Sequence, residues 1–269
     1  MVTLSEPQLT FYRENGYLHL KASEHNLVSP AELQSWTEDV RTWPLEKGKW
    51  MPYFEITPEG KRQMMRTENF VDYHPQWNEL VCGEALGSIL AQLAGEETIL
   101  FKDKINYKLP GGNGFHAHVD YHAYSHIGEI SHLTANVAID DATLANGCLE
   151  VVPGSHKMAI EFSQGGRISA EWEERQNWVS VPLGSGDILF FGSVLAHRSQ
   201  ENKTEKSRSS LYATFAMKKD GEGLRRKYYE HRRMMFPPDH ERDENRDYTQ
   251  GWKQYGFAAP FTKTDAIKA

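Results

Sequence analysis

What most restricts the fold of this chain is that a short motif, His118-Val119-Asp120, has to meet a distant imidazole, His197, at one point in space. In a β-strand, residues two apart share a face, so His118 and Asp120 are expected to present an imidazole and a carboxylate together. His197 follows Gly186-Asp187-Ile188-Leu189-Phe190-Phe191-Gly192, a turn into an apolar strand, and Leu195-Ala196 lead on to it. Two imidazoles and one carboxylate on one face of an octahedron leave three positions open. Non-haem Fe(II) uses that arrangement to hold a chelating co-substrate beside O2. His118, Asp120 and His197 are therefore the candidate metal ligands and the candidate catalytic centre. The plain alternative for each is structural, since a chain with twelve histidines produces such spacings by chance and a buried imidazole needs only a hydrogen-bond partner.

Arg208 opens the apolar run from Ser209 to Met217, beyond the polar stretch 199–207. The order predicts a hairpin, with His197 near the end of one strand and Arg208 at the start of the next. Such an arginine enters the barrel beside the metal, where its planar fork pairs two-fold with the far carboxylate of a dicarboxylate co-substrate. A surface arginine in a charged loop is the alternative.

The succession of His118-Val119-Asp120, then Asn146 to His156 (NGCLEVVPGSH), then Gly186 to Asn202 with Arg208 resembles the phytanoyl-CoA dioxygenase family of Fe(II)/2-oxoglutarate oxygenases, from about Lys102 to Met217. The resemblance implies a mainly β fold with flanking helices, built on a double-stranded β-helix, a jelly-roll of the cupin kind. It implies Fe(II), 2-oxoglutarate and O2 as cofactor and co-substrates, hydroxylation or another oxidation of an aliphatic C–H bond of a small polar metabolite or natural-product intermediate, and release of succinate and CO2. Within the family, the segment from Asp103 to Asp120 is similar to that of ectoine hydroxylases, which suggests Asn106, Thr134, Ser199 and Arg208 as 2-oxoglutarate contacts. Tyr121 to His126 replaces a Trp-containing stretch of those enzymes, so substrate identity does not carry over. The retained Asp120 argues against halogenation, because chloride-transferring members vacate that position.

At 269 residues the chain is expected to form one domain: a helical part over about 1–96, a jelly-roll core over about 97–217 and a charged extension over 218–269. Ser29-Pro30-Ala31-Glu32 predicts a capped helix to about Trp43, and a second is expected from Gln76 to Leu93 with Gly95 as its stop. From Thr98 the apolar runs are short and broken, as strands are. A net charge of −7 speaks against nucleic-acid binding. No stretch is long and apolar enough for a membrane span, and no signal peptide is visible. The end, Ala266-Ile267-Lys268-Ala269, is not a peroxisomal tail. Two cysteines, Cys82 and Cys148, do not make a disulfide framework, so a cytoplasmic protein acting on a small molecule is expected.

The basic run Arg225, Arg226, Lys227, Arg232, Arg233 reads as a solvated helix face, with a lid or homodimer contact as the alternative. Arg66 and Asn69 either reach a pocket or decorate a strand. His116, His122, His126 and His132 read mostly as neighbours of the metal motif rather than ligands. Two rival functions stand beside the oxygenase. One is a cupin-type metalloenzyme using His116, His118, His122 and His197, which leaves Arg208 without a task. The other is a barrel that binds a ligand without chemistry.

Overall fold

The computed structural model describes residues 2–57, 59–128, 130–163 and 167–256. The Ala266–Ala269 tail and the rest of the extension beyond 256 lie outside the described residues. Helix α1 (Glu6–Asn15) starts at Ser5, where the Ser5 hydroxyl accepts from the Gln8 amide and the Gln8 side chain bonds the Ser5 N–H. Strand β1 (Tyr17–Leu20) and helix α2 (Ala22–His25) follow. The capping box at Ser29 and Glu32 opens α3 (Pro30–Thr42) as the sequence requires.

The first 96 residues are not wholly helical, because β1 and a hairpin of β2 (Met51–Ile56) and β3 (Arg62–Glu68) join the main sheet. The helix expected over 76–93 is two helices, α4 (Pro75–Cys82) and α5 (Glu84–Ala94). Gly83 between them is extended, and a Cβ there would lie 2.1 Å from the Glu79 carbonyl oxygen. Only glycine permits that approach.

The remaining elements are β4 (Thr98–Lys108), β5 (Phe115–His118), α6 (Tyr121–Tyr124), β6 (His132–Ala138), β7 (Leu149–Val151), α7 (Ala170–Glu174), β8 (Val179–Val181), β9 (Ile188–Gly192), β10 (His197–Ser199), β11 (Arg208–Met217) and α8 (Leu224–Met235). Seven strands form an antiparallel sheet in the order β1-β9-β6-β11-β4-β3-β2, and four form a second in the order β5-β10-β7-β8. Two sheets with flanking helices make the jelly-roll. The hairpin expected between His197 and Arg208 does not form, since β10 lies in the small sheet and β11 in the large one. β11 runs for ten residues and pairs along its length with β4 and for seven residues with β6, a ladder that the three-residue β10 cannot match. Asn202 anchors the crossing, donating to the Lys108 and Lys206 carbonyls.

The large sheet has an apolar outside and a polar inside. Ile105, Tyr107, Leu133, Ala135, Val137, Phe190, Leu211 and Ala213 pack outward in one core with Leu33, Val40, Trp77, Ile89 and Leu90 of the helices. The alternate residues, among them Lys102, Lys104, Asn106 and Lys108 of β4, belong to the other face. One end of the space between the sheets is filled by Leu149, Val151, Leu189, Phe191 and Leu195.

At the other end lies α8, and it is not a solvated face. Tyr228, Tyr229 and Arg232 are buried, and Arg225 pairs with the fully buried Asp103 at 2.5 Å. The helix packs against Met51, Tyr53, Phe101 and Tyr124 over the barrel mouth. Arg226 alone of the central three basic residues Arg225–Lys227 projects fully into solvent, since Lys227 donates to the Ile127 carbonyl. The sequence reading failed here because interior cations have the same one-letter pattern as surface ones. No helix among the described residues is long and apolar enough to cross a membrane.

Candidate active site

Three side chains converge at the open end of the barrel. His118 ends β5, and His197 begins β10 directly opposite it in the ladder. Asp120 is not in the strand, contrary to expectation: its backbone is helical (φ −71°, ψ −25°), and it turns the chain into α6. The turn still delivers the carboxylate. Asp120 Oδ1 lies 3.8 Å from His118 Nε2 and 3.9 Å from His197 Nε2, and one donor atom from each residue falls within 4.8 Å of the others.

The two imidazoles are oriented by the backbone. His118 Nδ1 bonds the His116 carbonyl at 2.6 Å, and His197 Nδ1 bonds the Leu195 carbonyl at 2.9 Å. A carbonyl can only accept, so each ring carries its proton on Nδ1 and turns the Nε2 lone pair to the common centre. Burial and the neighbouring His197 ring push the His118 imidazolium well down, toward the neutral form a ligand needs. Burial pushes Asp120 up, but the two imidazoles and Lys104 and Lys102 outweigh it and keep the carboxylate ionised. Two neutral imidazole donors and one carboxylate, with no fourth protein donor among the described residues, fit Fe(II) with open positions.

His116 and His122 do not join the set. The His116 side chain is exposed, and His122 packs edge-on against Phe162. His126 instead bonds the Tyr255 hydroxyl, which His231 also holds. His132 is buried against Phe101 and Tyr124 with neither ring nitrogen hydrogen-bonded.

Two cationic regions flank the centre. The first lies at the start of β11 and the ends of β4 and β10, where Arg208 and Lys108 are register partners. Arg208 donates to Ser210 Oγ at 2.7 Å and the Gly147 carbonyl at 3.0 Å, while its buried Nε has no partner. Lys108 bonds Ser199 Oγ at 3.1 Å, the Gly147 carbonyl at 3.3 Å and the Gln200 carbonyl. Neither cation has a carboxylate within ion-pair distance among the described residues. Arg208 lies near Tyr212, which lines the metal cavity. Asn106 and Thr134 line that cavity directly, beside His118, Asp120, His197 and Tyr212, whereas Ser199 and Arg208 stand behind the lining.

The second region is a chamber of about 60 Å³ on the α8 side, lined by Arg66, Lys102, Lys104 and Arg232 together with His118, Asp120 and Tyr124. Of these, Arg66 has two open readings in the sequence, Arg232 belongs to the basic run read as a solvated face or, alternatively, a lid carrying basic groups toward an anionic substrate, and Lys102 and Lys104 have none. The signal was present in Lys102-x-Lys104-x-Asn106-x-Lys108, a strict alternation that places one polar face on a strand. Asn69 lines neither region; its side chain donates to the Lys49 carbonyl.

The fully buried Glu68 is the chamber's counter-charge. It receives Arg232 through Nε at 2.6 Å and Nη2 at 2.8 Å, and Arg66 Nη1 at 3.2 Å. Burial raises its carboxyl, but Arg232, Lys102 and Arg66 outweigh that and bring it down to about 2. Burial and Arg66 push Lys104 down to about 8, and burial drives Lys102 well below its ordinary value.

A family model described as phytanoyl-CoA dioxygenase (PhyH) matches residues 12–210. The chain is 39% identical over 237 residues to dioxygenase lolE1 of Epichloe uncinata, covering 88% of this chain and 92% of that protein. It is 34% identical over 262 residues to 2-aminoethylphosphonate dioxygenase of an uncultured bacterium, HF130_AEPn_1, covering 97% and 99%. Methylphosphonate hydroxylase of Gimesia maris is 37% identical over 238 residues, covering 87% and 88%. Among solved structures, EctD from S. alaskensis with 2-oxoglutarate and 5-hydroxyectoine superposes with a TM-score of 0.67 at 21% identity over 80% of this chain and 76% of that one, which bears out the fold.

Two outcomes are expected of this geometry. His118→Ala, Asp120→Ala and His197→Ala each weaken Fe(II) binding by more than about tenfold, measured as iron retained after anaerobic reconstitution, while His116→Ala and His122→Ala retain it. Loss of iron in His116→Ala with retention in Asp120→Ala would favour the cupin-type set. Glu68, held at about 2 in the fold against about 4.3 unfolded, stabilises the protein fully above pH 4.3 and loses that contribution as pH falls toward 2. The loss amounts to about 3 kcal/mol by linkage. In urea unfolding at pH 6 and pH 3, Glu68→Gln should therefore lose less stability on acidification than the parent; equal losses would show that Glu68 is not held down.

Proposed function

The chain belongs to the phytanoyl-CoA dioxygenase family and is a non-haem Fe(II)- and 2-oxoglutarate-dependent dioxygenase, and from that premise we propose that it oxidises an aliphatic C–H bond of a small phosphonate. The observation that carries the substrate class is the second cationic region. Four cationic side chains gather there against two carboxylates, Glu68 and the candidate iron ligand Asp120. Buried charge in that excess calls for an anion. The donors come from β3, β4 and α8, three separate elements, which suits the three oxygens of a tetrahedral phosphonate better than a planar carboxylate, for which one fork is enough. Two relatives that this chain matches over most of their length are named for phosphonate substrates. A chamber of about 60 Å³ has room for a small ligand and not for an acyl-CoA thioester.

His118, Asp120 and His197 hold Fe(II) in this reading. When bound, Fe(II) with 2-oxoglutarate and O2 supplies the oxidising power, and the co-substrate leaves as succinate and CO2. Arg208, with its idle Nε and with Lys108 beside it, takes the far carboxylate of 2-oxoglutarate. Ser199 fixes Lys108, while Asn106 and Thr134 shape the cavity between that carboxylate and the metal. Arg66, Lys102 and Arg232 anchor the phosphonate, so the adjacent carbon lies next to the metal ligands that line the same chamber. Tyr124 and Tyr228 close the chamber against water.

Succinate release tests the reading. It should rise with methylphosphonate or 2-aminoethylphosphonate and stay at background with the corresponding carboxylates; equal responses would remove the phosphonate from the proposal. Arg208→Ala strands a buried anion and should cost on the order of 2–5 kcal/mol in 2-oxoglutarate binding, a loss of roughly thirty-fold to several thousand-fold. Iron binding should survive. Arg208→Lys should restore part of the affinity, whereas Arg198→Ala, whose guanidinium already pairs with Glu150 and Glu173, should change it little. Titrating the visible charge-transfer band of the anaerobic Fe(II) protein with 2-oxoglutarate reads each value, and an unchanged curve for Arg208→Ala would overturn its role.

A further inference from the structure

The metal cavity and the cationic chamber are adjoining spaces with a common wall. Five residues line both: Lys104, Phe115, His118, Asp120 and Tyr124. Two of these are candidate iron ligands with Asp120 carrying negative charge, two are aromatic, and Lys104 is the one lysine or arginine. Every other cation serves one side only. Arg66, Lys102 and Arg232 line the chamber alone, and Arg208 and Lys108 sit at the far end of the metal cavity. The backbone fixes Lys104 at this boundary, because in the ladder it lies between Tyr212 of β11, which lines the metal cavity, and Glu68 of β3, which neutralises the chamber arginines. Its ammonium stands 5.0 Å from the Tyr212 ring centroid and has no carboxylate within ion-pair distance among the described residues.

Resting on the function proposed above, we propose that Lys104 is a coupling residue: it attracts the co-substrate and the substrate anion together, so that each binds more tightly when the other is present. Two anions held on either side of a small buried space repel one another, and the repulsion is strong where water is scarce. A cation in the common wall attracts both and offsets that repulsion. Without it, each anion retains its own anchors, and only the dependence of one upon the other is lost. The consequence for turnover is that 2-oxoglutarate is held most firmly in the complex that also contains something to oxidise.

The test measures coupling separately from affinity. In the anaerobic Fe(II) protein, 2-oxoglutarate is titrated by the charge-transfer band with and without saturating 2-aminoethylphosphonate, and the phosphonate is titrated by calorimetry with and without 2-oxoglutarate. The parent should show a gain of about tenfold, equal in both directions because coupling between binding sites is reciprocal. Lys104→Met should bring the ratio to about one or below while iron binding is retained, and Lys104→Gln gives the same readout should the apolar variant not fold. Lys104→Arg should keep most of the gain. Lys102→Met should weaken the phosphonate yet leave the ratio intact. A parent ratio of one, or a Lys104→Met ratio equal to the parent's, overturns the proposal while the substrate reading stands. A phosphonate that does not bind the parent at all overturns both.

Discussion

Everything in this molecule is arranged around charge held inside a β-barrel. A sheet that turned Lys102, Lys104, Lys108, Arg66 and Arg208 to solvent would bury its apolar face inward as an ordinary sandwich does; here the polar face is the inner one. Its apolar face must therefore be covered from outside, and the N-terminal helices do so, with Leu33, Trp77, Ile89 and Leu90 against Ile105, Val137 and Leu211. Burying so many cations is unfavourable unless they are paired or given a ligand. Glu68 and Asp103 answer part of that cost, the first between Arg232 and Arg66, the second under Arg225 and Tyr229. Lys102, Lys104, Lys108 and Arg208 are left without a carboxylate within ion-pair distance among the described residues.

That arrangement explains what the sequence made legible and what it concealed. The convergence of His118, Asp120 and His197 is legible in the sequence because their residue types mark them as candidate ligands, and it holds although Asp120 sits in a turn and not in the strand. The helix starts at Ser29 and the stop at Gly95 were readable from local chemistry. The break at Gly83 was not, because its cause is a carbonyl four residues back that becomes visible only in three dimensions. Strands β2 and β3 were hidden by charged residues on both faces, including Arg62, Arg66 and Glu68. The crossing between β10 and β11 looked like a hairpin because a polar turn between apolar runs carries no mark of which sheet each run will join. Lys102 and Lys104 are concealed, and Arg232 reads first as a solvated residue, for one reason: hydropathy assigns a lysine or arginine to water, and only its neighbours in three dimensions reveal otherwise.

Helix α8 links these observations. Tyr228, Tyr229 and Arg232 anchor it over the barrel mouth, and Lys227 and Arg225 tie its flank to the loop after α6 and to Asp103. The short segment beyond it returns Tyr255 to the chamber wall, with its hydroxyl held by His126 and His231. The charged C-terminal part of the chain is thus a structural wall of the site rather than an appendage.

The division of labour between the two sheets has a metrical consequence. His118 and His197 stand on the small sheet, and Arg208 stands on the large one. Their separation is not adjustable by any one side chain, because it is set by how closely the sheets approach over the filling of Leu149, Val151, Leu189, Phe191 and Leu195. Interior packing of that density behaves as a rigid spacer. The barrel therefore works as a calliper: one jaw carries the imidazoles, the other the guanidinium, and the methyl groups between them set the gap from one to the other.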